Sequence, residues 1–493
     1  MRYISTRDKN HSVLSYQAII DGISPDGGLY VPDQLPRFSN EDLKRLAAMG
    51  YQDKAVFIFK TFLPEFFNDE LSQCAAKSIS RFEDNIVAPL IKLDDMVYVL
   101  ELWHGPTCAF KDVALTLLPE LMQKSKQKAD IKENILILTA TSGDTGKAAL
   151  EGFKNVAGIK IAVLYPTDNV SEHQKYQMMI QDGDNVLPLG IVGNFDDAQT
   201  MVKKIFCDPE CVQKFKEAGY LLSSANSINW GRPLPQIIYY FSTYLDLLEA
   251  GEIKEGETIN FAVPSGNFGN ILAGFYAKQM GLPINKLICA SNSNNVLTDF
   301  LTTGHYNACR ILQKTISPSM DILISSNTER LIFEVSARND KLTSQRMKAL
   351  FESGEYVLTE DELAAVKNSF FADYANDIQT KETLHNVYLE KDYLCDPHTA
   401  VAVAVYNSYL LSEDDHKKTV IVSTASPFKF ARDVLIALNY SAPEDDQKAI
   451  LKLQSKTGIG APGAILSAFD KPVLHNEVLE KDKITQRLLD FIK

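Results

Sequence analysis

Lys111 is the side chain whose surroundings in this sequence most favour covalent chemistry. A β-branched and apolar run at 97–102 meets Gly105-Pro106, which halts a strand, and after a few small residues the lysine opens a helical pattern. Behind it Val113, Ala114, Leu117, Leu118, Leu121 and Met122 recur at helical spacing, so Lys111 and Asp112 sit at the positive end of a helix packed on a core. Its near neighbours in sequence are Phe110 and Cys108. An amine that loses hydration there has its pKa lowered, as attack on a carbonyl to form a Schiff base requires. An ordinary lysine capping a strand–helix junction has the same local sequence, so the other loops must decide.

Four further stretches could serve it. The run 135–138 leads into Thr139-Ala140-Thr141-Ser142-Gly143-Asp144-Thr145-Gly146-Lys147 and then a helical pattern, offering hydroxyls, amides and a helix dipole to an anion. It departs from the P-loop pattern twice: Thr141 stands where a glycine is needed, and Ala148 where a metal-binding hydroxyl is needed. A phosphate-binding ATPase therefore rests on this loop alone. The run 259–263 leads into Pro264-Ser265-Gly266-Asn267-Phe268-Gly269-Asn270, whose glycines let the chain curl round an oxyanion with amides turned inward. It has no lysine or metal partner, which favours a monophosphate on an organic cofactor. The run 419–422 ends in Ser423-Thr424-Ala425-Ser426, where a small hydroxyl could face a ring nitrogen. Residues 221–236 bring Asn226, Ser227, Asn229 and Arg232 together ahead of an apolar helix, a polar clamp for a small zwitterion or phosphate. His173, Gln174 and Lys175 could extend that wall, although a solvated helix face fits them as well. His398 reads as the first turn of an apolar helix.

Short apolar runs at 97–102, 135–138, 159–164, 259–263, 287–290 and 420–422 alternate with helical stretches from about residue 90, which predicts parallel sheets covered by helices, with sites at the carboxyl ends of the strands. Residues 1–85 read as a small helical domain, 86–440 as the catalytic core and 441–493 as a helical tail. Residues 292–395 read as mostly helical and polar. There is no internal repeat or low-complexity tract.

The chain has 493 residues, 45% of them hydrophobic, and a net charge of −13 from 63 acidic and 50 basic side chains. That balance gives no electrostatic case for nucleic acid or an anionic membrane, so an anionic substrate must be captured by local groups. No apolar run approaches a membrane span, and the N-terminus lacks a signal peptide's apolar core, so a cytoplasmic protein is expected. Seven scattered cysteines without CxxC pairs point to reduced thiols, with neither a disulfide frame nor a metal site.

Together these stretches resemble the signature segments of the threonine synthase family, in its longer bacterial and fungal subgroup. The resemblance rests on 104–112, 139–146, 224–229 and 264–270 in that order, and it runs from Met1-Arg2-Tyr3 and Asp26-Gly27-Gly28-Leu29-Tyr30 to the tail. It implies an α/β fold of the fold type II class of pyridoxal 5′-phosphate enzymes, similar to the tryptophan synthase β chain, with parallel-sheet lobes and a small helical N-terminal domain. Within it a smaller lobe at about 112–245 would close on substrate. By motif match Lys111 would hold the cofactor, Ser265, Gly266, Asn267, Phe268, Gly269 and Asn270 its phosphate, and Thr424 its ring nitrogen. Ser142, Asp144, Thr145, Asn226, Ser227, Asn229 and Arg232 would meet the substrate, with the roles of Asp144 and Lys147 open. The family's reaction, the last step of threonine biosynthesis, is γ-elimination of phosphate from O-phospho-L-homoserine and addition of water at the β-carbon to give L-threonine. A dehydratase or phospho-lyase of the same fold, releasing a keto acid, is the nearest alternative. A monomer or homodimer is expected.

Overall fold

The apolar runs of the sequence fall into two separate sheets. The computed structural model describes residues 1–141, 143–167, 172–193 and 195–493, with the side chains of residues 172, 173, 195, 196, 200 and 207 outside that description. The larger sheet has six strands in the order Phe370–Tyr374, Ile284–Ser291, Ile259–Pro264, Thr419–Ser423, Val97–Glu101 and Leu90–Lys92. All neighbours run parallel except the last pair. The smaller sheet is parallel throughout, in the order Val478–Leu479, Val186–Ile191, Ile159–Pro166, Asn134–Ala140 and Tyr220–Ser223. Helices cover both faces of such sheets, which is why Ile135, Leu136, Ile137 and Leu138 are all fully buried and the runs are continuous instead of alternating.

This order places the ends that matter side by side. Ile259–Pro264, Thr419–Ser423 and Val97–Glu101 are successive neighbours, so the loops that follow them emerge at one edge. In the smaller sheet Asn134–Ala140 and Tyr220–Ser223 are also neighbours, and their loops face the same cleft. Beneath lies Pro233–Glu249, a helix buried round almost its whole circumference, packed on Gly269–Gln279. The two approach closely because Gly274 leaves room for the Tyr240 ring, 2.8 Å from where a Cβ would stand.

Three regions differ from the sequence reading. The N-terminal helices Ser15–Asp21, Asn40–Ala47, Tyr51–Phe62 and Asn68–Ile79 are joined by a small antiparallel sheet of Ser12–Leu14, Arg2–Ser5 and Tyr30–Pro32. Strands of three or four residues are too short to display a period. Within 292–395, Phe370–Tyr374 extends the large sheet, and His305–Asn307 pairs with Glu355–Val357. The tail is not a separate appendage. Asp446–Thr457 packs on Ala431–Ala437, whereas Val478–Leu479 adds an edge strand to the smaller sheet and Ile484–Ile492 buries Ile484, Leu488 and Ile492 against it.

Candidate active site

The loop before Lys111 is held by its own polar groups. Asp112 accepts from the Thr107 amide at 2.8 Å and its hydroxyl at 2.6 Å, and Gly105 is required because a Cβ there would lie 2.5 Å from the Asp112 Cβ. Cys108 takes a left-handed conformation (φ +54°), Ala109 bridges Ala425, and the Phe110 amide donates to the Thr424 carbonyl at 2.8 Å. Lys111 and Thr424 are thus fixed to one another through the backbone. Lys111 begins the helix Lys111–Leu115, with its side chain 11% exposed and its amine 4.8 Å from the Phe110 ring centroid.

The one carboxylate the sequence puts beside this lysine, Asp112, is taken up by the Thr107 amide and hydroxyl. The fold adds another: Asp144 Oδ2 lies 3.7 Å from Lys111 Nζ, delivered by the loop after Asn134–Ala140. Asp144 Oδ1 is in turn 2.9 Å from Lys429 Nζ, and Ser319 and Gln174 donate to the same carboxylate. Burial alone would raise the Asp144 carboxyl, but Lys429 and then Lys111 hold it well below the usual range. Burial pulls the Lys111 amine down to about 8 against the attraction of Asp144, with Lys429 and Arg232 pushing it the same way as burial. Lys429 also donates to the Thr107 carbonyl at 2.9 Å. The sequence reading assigned Lys429 no role; the signal was a lysine inside the apolar stretch 425–431.

Residues 264–270 form a cup. Phe268 is left-handed (φ +59°), and among the described residues the backbone N–H groups of Gly266, Asn267, Phe268, Gly269 and Asn270 have no partner. Their carbonyls face the other way: Ser325 donates to Gly266 O at 2.8 Å and Asn327 Nδ2 to Asn267 O at 3.0 Å. Gly266 is also required sterically, since a Cβ would meet the Ser319 carbonyl at 2.6 Å. Behind the cup the buried Arg330 ties Asn327 to the carbonyls of Tyr30, Ser227 and Ile228. The Asn270 carbonyl side takes the Tyr239 and Tyr240 hydroxyls, while its Nδ2 is buried without a partner. The Ser265 hydroxyl is turned back on Val263 O and its amide donates to Ala290 O, so the residue expected to bind phosphate offers the cup no donor; the Phe268 ring packs on Phe370, so Phe268 contributes backbone alone. Thr424 is buried, with no partner for its hydroxyl among the described residues.

The expected substrate residues divide. Arg232 is buried, donates to Ala225 O at 2.5 Å, leaves Nε unpartnered and has no carboxylate partner among the described residues. Burial pulls its guanidinium down to about 10. Thr145 and Ser227 are half-buried, and Asn226 ties the loop to Ala140 O at 3.0 Å. Asn229 is different. Both its amide hydrogens go to Ile19 O and Ser224 O, and its oxygen accepts from Gly231, so it braces the loop and has no donor for a ligand. Asp144 is engaged by the two lysines. Lys147 faces Gln181 and Glu151, away from the cleft. Ser142 and the His173 side chain lie outside the described residues. His398 Nδ1 meets Asp396 at 2.6 Å and its Nε2 accepts from the Ser319 amide, so it supports Ser319 at second hand.

The chain is similar to known proteins along most of its length. Residues 2–79 match the family model described as "Threonine synthase N terminus", and residues 83–353 that described as "Pyridoxal-phosphate dependent enzyme". Threonine synthase of Pseudomonas aeruginosa is 38% identical over 88% of this chain and 90% of its own length. Threonine synthase-like 1 of Homo sapiens is 36% identical over 96% of this chain, which spans 63% of that longer protein. The crystal structure of PLP-bound threonine synthase from Brucella melitensis superposes with a TM-score of 0.87 at 34% identity, covering 100% of both chains. The chain belongs to the threonine synthase family of pyridoxal-phosphate-dependent lyases.

Proposed function

We propose that this enzyme converts O-phospho-L-homoserine and water to L-threonine and phosphate, with Lys111 as the anchor of pyridoxal phosphate and the proton carrier of the reaction. The residues present fit that cofactor: an amine whose pKa burial lowers to about 8 and, without a partner among the described residues, a ring of amides at 266–270 for a phosphate and the Thr424 hydroxyl beside them. The observation that carries the reading is this convergence of three adjacent strand ends. When bound, the cofactor's ring draws an electron pair from the bonds at the substrate's α-carbon, and Thr424, a neutral partner, leaves the ring nitrogen uncharged so that the withdrawal stays moderate.

The chain supplies the rest. Lys111, with a pKa near working pH, takes and returns protons at the α- and β-carbons. Arg232, cationic and without a carboxylate partner among the described residues, receives the departing phosphate or holds the substrate carboxylate, and the half-buried Thr145, Asn226 and Ser227 add hydroxyl and amide groups for the substrate. The smaller lobe closes over the substrate and limits bulk water. Hydrogen exchange of that lobe unchanged by a substrate analogue would exclude closure. The enzyme acts in the cytoplasm: six described cysteines are free thiols, and among the described residues no helix is long and apolar enough to cross a membrane.

Turnover of O-phospho-L-homoserine in ¹⁸O-water tests the reaction. Threonine carrying one ¹⁸O at its hydroxyl, with unlabelled phosphate, is expected, because the Cγ–O bond breaks and water adds at the β-carbon. A keto acid as product, or ¹⁸O in the phosphate, would replace this reading with a phospho-lyase or a phosphatase.

A further inference from the structure

Three charged groups from three different strand ends meet in the cleft, and the reaction as derived uses one of them. Asp144 stands between two lysines, 2.9 Å from Lys429 and 3.7 Å from Lys111. Lys429 has a side chain 1% exposed on the short turn Pro427–Phe430, and it reaches across to the Thr107 carbonyl in the loop that carries Lys111. A buried ammonium with a carboxylate on one side and a carbonyl on the other is held in its charged form. It cannot also be a free base.

We infer that Lys429 is a positioning residue that cancels the charge of Asp144, so that the nitrogen of Lys111 can release its proton. The inference rests on Lys111 carrying the cofactor. Without Lys429 the carboxylate would have Lys111 as its one close cation and would hold a proton on it. With Lys429 present the carboxylate keeps its place in the site, accepting from Ser319 and Gln174, while its field at Lys111 is offset. The other groups facing this cluster do not replace it. Arg232 acts on Lys111 in the same direction as Lys429, and Asp112 in the opposite one. Asp112 is occupied by Thr107, and burial pushes the Cys108 thiol up to about 12 and so keeps it neutral. His398 faces Asp144 while bonded to Asp396 and to the Ser319 amide.

The test is a double-mutant cycle on the holoenzyme: wild type, Lys429→Met, Asp144→Asn and the double variant. The readout is the pH midpoint of the visible absorbance change of the bound cofactor, which follows the proton on the Lys111 nitrogen. Lys429→Met is expected to raise the midpoint by about one unit or more, Asp144→Asn to lower it, and the double variant to return it to within about half a unit of wild type. A purely structural lysine would lower thermal stability in Lys429→Met without moving the midpoint, and the double variant would remain shifted or unstable. Either result overturns the inference. Should Lys429→Met fail to fold, Asp144→Asn and the double variant still decide it, because equal midpoints in Asp144→Asn and wild type also overturn it. Borohydride reduction of the wild type separates this failure from the larger one: an adduct on a lysine other than 111 removes the anchor itself.

Discussion

At the scale of single residues the site turns on where a proton sits. An amine near pKa 8 is roughly one-tenth neutral at pH 7 and mostly neutral by pH 9, and the neutral form attacks a carbonyl. Recombination of the cofactor-stripped chain with pyridoxal phosphate should therefore speed up as pH rises through about 8 and level off above it. Stopped-flow absorbance measures this; a rate still climbing steadily at pH 10 would mean an ordinary, hydrated lysine. The importance of Lys111 was legible because its apolar neighbours and the strand–helix junction lie within a few residues of it. Asp144 and Lys429 were illegible as its partners, since their contacts join a loop of the smaller sheet to one of the larger, and no local spacing encodes that. Asn229 looked like Asn226 in sequence; that Asn229 spends both amide hydrogens on the carbonyls of Ile19 and Ser224, and Asn226 one on Ala140 O, follows only from what packs round them.

The cup belongs to the element scale. Its amides point inward because Ser325 and Asn327 hold its carbonyls outward, and because Gly266 lets the chain pass within van der Waals reach of Ser319. Gly266→Val should weaken cofactor binding at least about tenfold and cost about 1–3 kcal/mol of stability, since a rigid backbone carbonyl is the obstacle. Gly269→Ala is the control, its nearest neighbour being Asn327 Nδ2 at an ordinary 3.5 Å. Equilibrium titration with pyridoxal phosphate compares the two, and equal affinities would show that the loop yields. Val97–Glu101, Asn134–Ala140, Ile259–Pro264 and Thr419–Ser423 were readable as short apolar runs because both their faces are buried, whereas Tyr220–Ser223, a four-residue edge strand with Leu221 and Leu222 half-buried, was not. Val478–Leu479, with two residues, had no pattern to read.

At the scale of the molecule, the net charge of −13 opposes an anionic substrate, so its capture falls to the few buried cations of the cleft. The tail links the two lobes. It leaves the large lobe at Asp446–Thr457 and ends on the smaller sheet, where Gly190 donates to Glu477 O and Val192 to Leu479 O. Removing residues 478–493 exposes the face that Ile484, Leu488 and Ile492 cover, an upper bound of roughly 5–9 kcal/mol. Hydrogen exchange should then quicken in Val186–Ile191 and leave Ile259–Pro264 protected. Uniform quickening across both sheets would mean that the lobes do not unfold separately.

The most direct test of the account is borohydride reduction of the purified protein followed by peptide mapping. The expected result is a yellow protein that bleaches on reduction, with one pyridoxyl adduct on Lys111. An adduct on another lysine, or a protein that stays colourless after pyridoxal phosphate is added, would contradict the assignment of Lys111 as the anchor and the roles built on it.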